Sequence, residues 1–145
     1  MMFAKSTSTF LIFLTTLFAT FSPAFAKVVG ITAPPTVSPG QTFPVTVETS
    51  SYIQNIYDYY MVFGIAPQTF NDSGLHTLLG LGYDLVANNE YNTAHGSFNV
   101  SITIPSDYNI TTQGSAVNLR ASVFSTVGAS QEIWVTYWAT NVTVV

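Results

Sequence analysis

Two histidines, seven carboxylates and many serines are the side chains in this 145-residue, cysteine-free sequence that could support hydrolytic or metal chemistry. A metal site needs several N, S or O ligands at constrained spacing. His76 and His95 stand apart, and neither H-x-H nor H-E-x-x-H occurs. A serine nucleophile needs a base and an orienting acid; no serine lies in G-x-S-x-G. Paired carboxylates for glycoside hydrolysis would have to come from Asp58, Asp72, Asp84, Glu90, Asp107 and Glu132, which are scattered singly through a chain with only 7% charged residues. No glycine-rich phosphate loop precedes a helical pattern. The sequence therefore predicts no catalytic residue, no metal ligand set, no cofactor and no enzyme.

Four motifs do carry a mechanism. Asn71, Asn99, Asn109 and Asn141 each stand two residues before a Ser or Thr, the spacing that marks an N-glycosylation acceptor. Period-2 counting puts Asn99 and Asn141 on outward strand faces and Asn71 and Asn109 in loops, so all four are expected to be open to solvent. The aromatics give a second signal. Tyr57, Tyr59 and Tyr60 cannot share one strand face, and neither can Trp134, Tyr137 and Trp138. Tyr60 and Tyr137 are predicted to point outward, as members of a binding surface or as ordinary sheet-surface tyrosines.

The N-terminus sets the compartment. Lys5, an apolar run over 10–21 and the small-x-small sequence Ala24-Phe25-Ala26 form the three parts of a secretory signal peptide. The run is too short for a bilayer that needs about 20 apolar residues, so no membrane span is expected. Cleavage is expected between Ala26 and Lys27, making 1–26 the signal peptide and 27–145 a single domain. A first residue of Lys27 also lacks the N-terminal histidine that copper oxygenases built on β-sandwiches require. Past the signal, Lys27 and Arg120 face seven acids. That balance excludes a phosphate track for nucleic acid and a polybasic membrane patch. With no cysteine, burial and backbone pairing must hold the domain without disulfides.

These groups must be positioned by strands, because apolar residues alternate along most of 27–145. Strands are expected over 28–32, 42–48, 56–65, 78–86, 97–104, 116–126 and 133–144. Pro44 in the second marks an edge or a bulge. In the third, Asp58 is expected to face water, sending Tyr57, Tyr59, Met61, Phe63 and Ile65 inward. Gly80 and Gly82 suggest a bulge or a close neighbour in the fourth. Residues 67–76 read as loop and 106–114 as an excursion with one helical turn. Seven short antiparallel strands with turns at this spacing predict an all-β, immunoglobulin-like sandwich; a closed barrel is the alternative.

Several runs resemble the fungal Nis-type necrosis-inducing secreted effector family. They are Pro39-Gly40-Gln41-Thr42-Phe43, Tyr52-Ile53-Gln54, Val62-Phe63-Gly64, Val123-Phe124-Ser125 with Gly128-Ala129, and the terminal Asn141-Val142-Thr143-Val144. The resemblance extends from about Gly30 to the end. It implies a secreted, non-enzymatic effector, acting in the host apoplast or the host cytoplasm, that suppresses plant pattern-triggered immunity by binding receptor-like kinases and their cytoplasmic partners and that can provoke necrosis. It assigns no contact residues. A secreted cell-wall or glycan-binding module is the alternative, since outward aromatics can stack on sugars.

Overall fold

The computed structural model describes residues 25–145 apart from 81, 91–95 and 109–114. The expected signal peptide lies almost wholly outside the described residues, as do His95 and Asn109. The strands are β1 (Phe25–Thr32), β2 (Thr36–Val37), β3 (Thr42–Tyr52), β4 (Ile56–Pro67), β5 (Thr77–Leu78), β6 (Tyr83–Asp84), β7 (Gly96–Thr103), β8 (Ser115–Val127) and β9 (Glu132–Val144). They form two sheets, ordered β1-β3-β7 and β2-β9-β8-β4-β5, with β6 also pairing with β4. All pairs are antiparallel except β2 with β9. The architecture is the predicted all-β sandwich. Its long strands, β1, β3, β4, β7, β8 and β9, follow the alternating runs.

Period-2 alternation sends every second side chain into the space between the sheets. Val45 and Val47 of β3, Met61, Phe63 and Ile65 of β4, and Leu119, Ala121 and Val123 of β8 are fully buried there. Val100 and Ile102 of β7 and Val142 and Val144 of β9 complete this core. Burying each large side chain contributes about 1.5–3 kcal/mol. Pro44 is explained by register: β1 pairs with β3 only from Thr46 onward, so at Pro44 one side of β3 has no β1 partner. A proline costs least where no ladder bond is required of it.

Three local expectations need correction. The strand expected over 78–86 is split into two-residue segments, because Gly80 and Gly82 take positive φ and break the extended run. Gly82 is a close-approach position: a Cβ there would press on the Met61 carbonyl and the Tyr60 ring at 2.7 Å. The short parallel β2 has no counterpart among the expected strands. Asp58 does not face water. A bulge falls between Asp58 and Tyr60 in the pairing with β8, so Tyr59 is the extra residue and the phase of the strand shifts by one. Ile56 and Asp58 then share the inner face with Met61, Phe63 and Ile65, while Tyr59, expected inward, is exposed.

Candidate interaction face

The bulge that buries Asp58 also brings aromatics to the other side of the sheet. With β4, β8 and β9 in register, the outer face reads as cross-strand rows: Tyr57–Thr126–Ile133, then Tyr60–Phe124–Val135, then Val62–Ser122–Tyr137. Adjacent strands lie about 4.8 Å apart, so side chains within a row touch or nearly touch. Ile133 is 64% exposed, Val135 48%, Tyr137 47%, Phe124 42% and Tyr60 36%, while Tyr57, Val62 and Thr126 are half-buried and Ser122 is buried. The three rows contain no charged side chain. Tyr60 is steadied at one border, where its ring lies against Gly82, and Asp84 of β6 is its cross-strand partner on the far side.

The same face is covered further along. The chain from 67 to 76 folds back over Gly64 and Arg120, which are paired across β4 and β8. The Arg120 guanidinium donates to the carbonyl oxygens of Phe70 at 2.6 Å, Gly74 at 2.8 Å and Asp72, and stacks 4.8 Å over the Phe70 ring. Gly64 is required beneath it, since a Cβ there would overlap the Leu75 carbonyl oxygen. Where this loop ends, Asp72, Ser73, Arg120, Tyr137, Trp138 and Ala139 border a shallow cleft of about 200 Å³. A second cleft of about 230 Å³ lies between β7 and the 79–83 segment, among Leu79, Tyr83, Val100 and Ile102.

The buried carboxylate has its own partners. Asp58 Oδ2 accepts the Val28 backbone N–H at 2.8 Å and Oδ1 accepts the Ser125 hydroxyl at 2.5 Å. Burial raises its pKa above the ordinary carboxylate value, while the Ser125 and Val28 hydrogen bonds and the Lys27 charge pull it down. The Lys27 ammonium itself sits 5.2 Å over the Tyr52 ring and 5.4 Å over the Trp134 ring. Asp58 and Ser125 meet at one end of the sandwich. They pin β1 to β4 and β8.

The residues singled out from sequence fall as follows. Tyr60 and Tyr137 both lie on the outer face of the larger sheet, in neighbouring rows on strands separated by β8. Phe124, Val135 and Ile133 complete that surface and were not foreseen; the outward half of each alternating run was the signal that could have found them. Asn71, Asn99 and Asn141 are exposed, and Asn99 accepts a hydrogen bond from Thr46 at 2.9 Å. Ala26 is buried and Lys27 half-buried in β1, so the expected cleavage bond lies within that strand. His76 is exposed, edge-on to Phe70 at 5.1 Å, with Nδ1 3.1 Å from the Thr77 hydroxyl. Among the described residues, no three His, Cys, Asp or Glu side chains cluster as metal ligands, and no helix is long and apolar enough to cross a membrane.

Comparison with known proteins gives a family. The profile of the Nis1 family matches residues 24–143. Necrosis-inducing secreted protein 1 of Colletotrichum orbiculare is 37% identical over 124 residues, which span 85% of this chain and 71% of that protein. Among solved structures, superoxide reductase (neelaredoxin) from Ignicoccus hospitalis aligns with a TM-score of 0.40 at 14% identity, over 83% of this chain and 80% of that one. A single-substitution variant of that reductase aligns with a TM-score of 0.41 at 15% identity, over 88% and 86%.

Proposed function

The chain belongs to the Nis1 family, and from that premise we propose that it is a secreted, necrosis-inducing effector that works by binding a host protein and not by catalysis. The target class is the plant receptor-like kinases and their cytoplasmic partners, and the outcome is suppression of pattern-triggered immunity. The relative's name supports secretion and necrosis induction. The signal-peptide pattern ending at Ala26 agrees with export.

The observation that carries the binding mechanism is the uncharged, partly aromatic outer face of the larger sheet. Exposed aromatic and β-branched side chains on a rigid sheet offer contact area at low entropic cost. A contiguous apolar surface of this kind marks an interaction site. The sandwich holds this surface in place through the β4, β8 and β9 ladders, so little order needs to be gained on binding.

The test is direct. The secreted chain is measured by interferometry against a panel of recombinant cytoplasmic kinase domains of plant receptor-like kinases, and in parallel against insoluble chitin, β-glucan and cellulose. Saturable binding to kinase domains and none to polysaccharide is expected. Retention on polysaccharide with no kinase binding would replace this reading with that of a wall-binding module.

A further inference from the structure

Resting on the reading of this protein as a contact effector, we propose that the rows Tyr57–Thr126–Ile133, Tyr60–Phe124–Val135 and Val62–Ser122–Tyr137 dock onto a folded partner protein whose apolar contact area is bordered by lysine and arginine. The rows supply the apolar centre. Three rows about 7 Å apart on three strands cover on the order of 300 Å², the core of a standard interface of about 800 Å² per partner.

The border supplies the partner's charge. Asp84 lies beside Tyr60 in the same row. Asp72 lines the cleft next to Tyr137. Of the two cations of residues 27–145, Lys27 lies away from the rows and Arg120 lines the same cleft as Asp72. Lys27 lies over Tyr52 and Trp134, and Arg120 is tied to three carbonyls beneath the 67–76 loop. An apolar centre with an acidic border is complementary to an apolar centre with a basic border. The same border argues against a second copy of this chain, which would bring acids against acids. It also disfavours an anionic membrane.

The chemistry within the rows argues against a sugar. A stacked sugar needs planar polar side chains beside the ring to hold its hydroxyls. Phe124 and Tyr60 are flanked here by Val135, Val62 and Ile133, with the hydroxyls of Ser122 and Thr126 as the polar groups of the β8 column. The sequons point the same way. Asn71 sits in the covering loop, Asn99 on β7 of the other sheet, and Asn141 four residues beyond Tyr137, about 13 Å along β9. None of these acceptors lies within the three rows.

The experiment places a glycan on the face. Phe124→Asn creates an acceptor two residues before Thr126, in the middle row. Phe124→Gln removes the ring without adding sugar, and Asn141→Gln is the distant control. Each chain is secreted from yeast and checked by circular dichroism and melting. Each is assayed for binding to the kinase domain that wild type binds best, and for suppression of the pattern-triggered oxidative burst in leaf discs. Glycosylated Phe124→Asn is expected to lose binding and burst suppression at least 100-fold. Phe124→Gln should lose about 10-fold, with Asn141→Gln unchanged. Asp84→Asn with Asp72→Asn should slow association several-fold and flatten its salt dependence. Folded, glycosylated Phe124→Asn acting as wild type would overturn the docking face while leaving the kinase reading intact. Loss of burst suppression in that variant, with no kinase bound by wild type, would keep the face and overturn the target class. An association rate unchanged by the two acid substitutions would overturn the basic border.

Discussion

Asp58 is the group whose removal should most clearly separate hydrogen bonding from charge in this fold. Its carboxylate is the acceptor for two donors, the Val28 N–H and the Ser125 O–H, in a site only 3% exposed. Asp58→Ala leaves both donors without a partner in the interior, at about 1–3 kcal/mol each. Asp58→Asn keeps the shape: its carbonyl oxygen accepts from Val28 and its amide donates to Ser125 Oγ. The two variants should therefore differ by about 2–6 kcal/mol, or roughly 8–24 °C in melting temperature for a domain of this size. The pH dependence has a definite sign. Burial raises the folded carboxyl above its unfolded value near 3.9, so between the two values the folded state holds more protons. The stability this group contributes is fully present below the unfolded value and falls as pH rises through the folded one. The assays are thermal melting and urea unfolding of wild type, Asp58→Asn and Asp58→Ala from pH 3 to 8. Wild type should lose stability relative to Asp58→Asn as pH rises. A melting temperature for Asp58→Ala within about two degrees of that for Asp58→Asn, or a wild-type difference that is flat or rises with pH, would refute this account.

Other outcomes follow from the same geometry. Arg120→Ala should cost about 2–4 kcal/mol through the loss of charge-assisted bonds to three carbonyls, and hydrogen exchange should show residues 68–76 losing protection before the sheet does. Gly64→Ala should release the same loop by steric overlap with Leu75, at about 1–3 kcal/mol, with the same exchange signature. Dithiothreitol should leave the melting temperature unchanged, because the chain has no cysteine. In the secreted glycoprotein, Asn71→Gln, Asn99→Gln and Asn141→Gln should each remove one endoglycosidase-sensitive mobility step on gels, since all three side chains are exposed.

Alternation alone was enough to place the long strands and the core. Phe98, Val100 and Ile102 in β7, and Val117, Leu119, Ala121 and Val123 in β8, point inward as their spacing requires, because a strand's side-chain period is fixed by backbone geometry. The absence of cysteine and the scarcity of cations were also readable without coordinates, and they already narrowed the partners. Register was not readable. One bulge at Tyr59 reverses the faces of the residues before it, burying Asp58 and turning Tyr57 outward, and nothing local in Tyr57-Asp58-Tyr59-Tyr60 announces an extra residue. The glycines at 80 and 82 signalled a break but not its form, which depends on Tyr60 and Met61 across the ladder. The outer face itself arises only when β4, β8 and β9, distant in sequence, lie side by side. Pairing between strands decides which outward residues become neighbours, and that is a property of the folded sheet and not of any one run of residues.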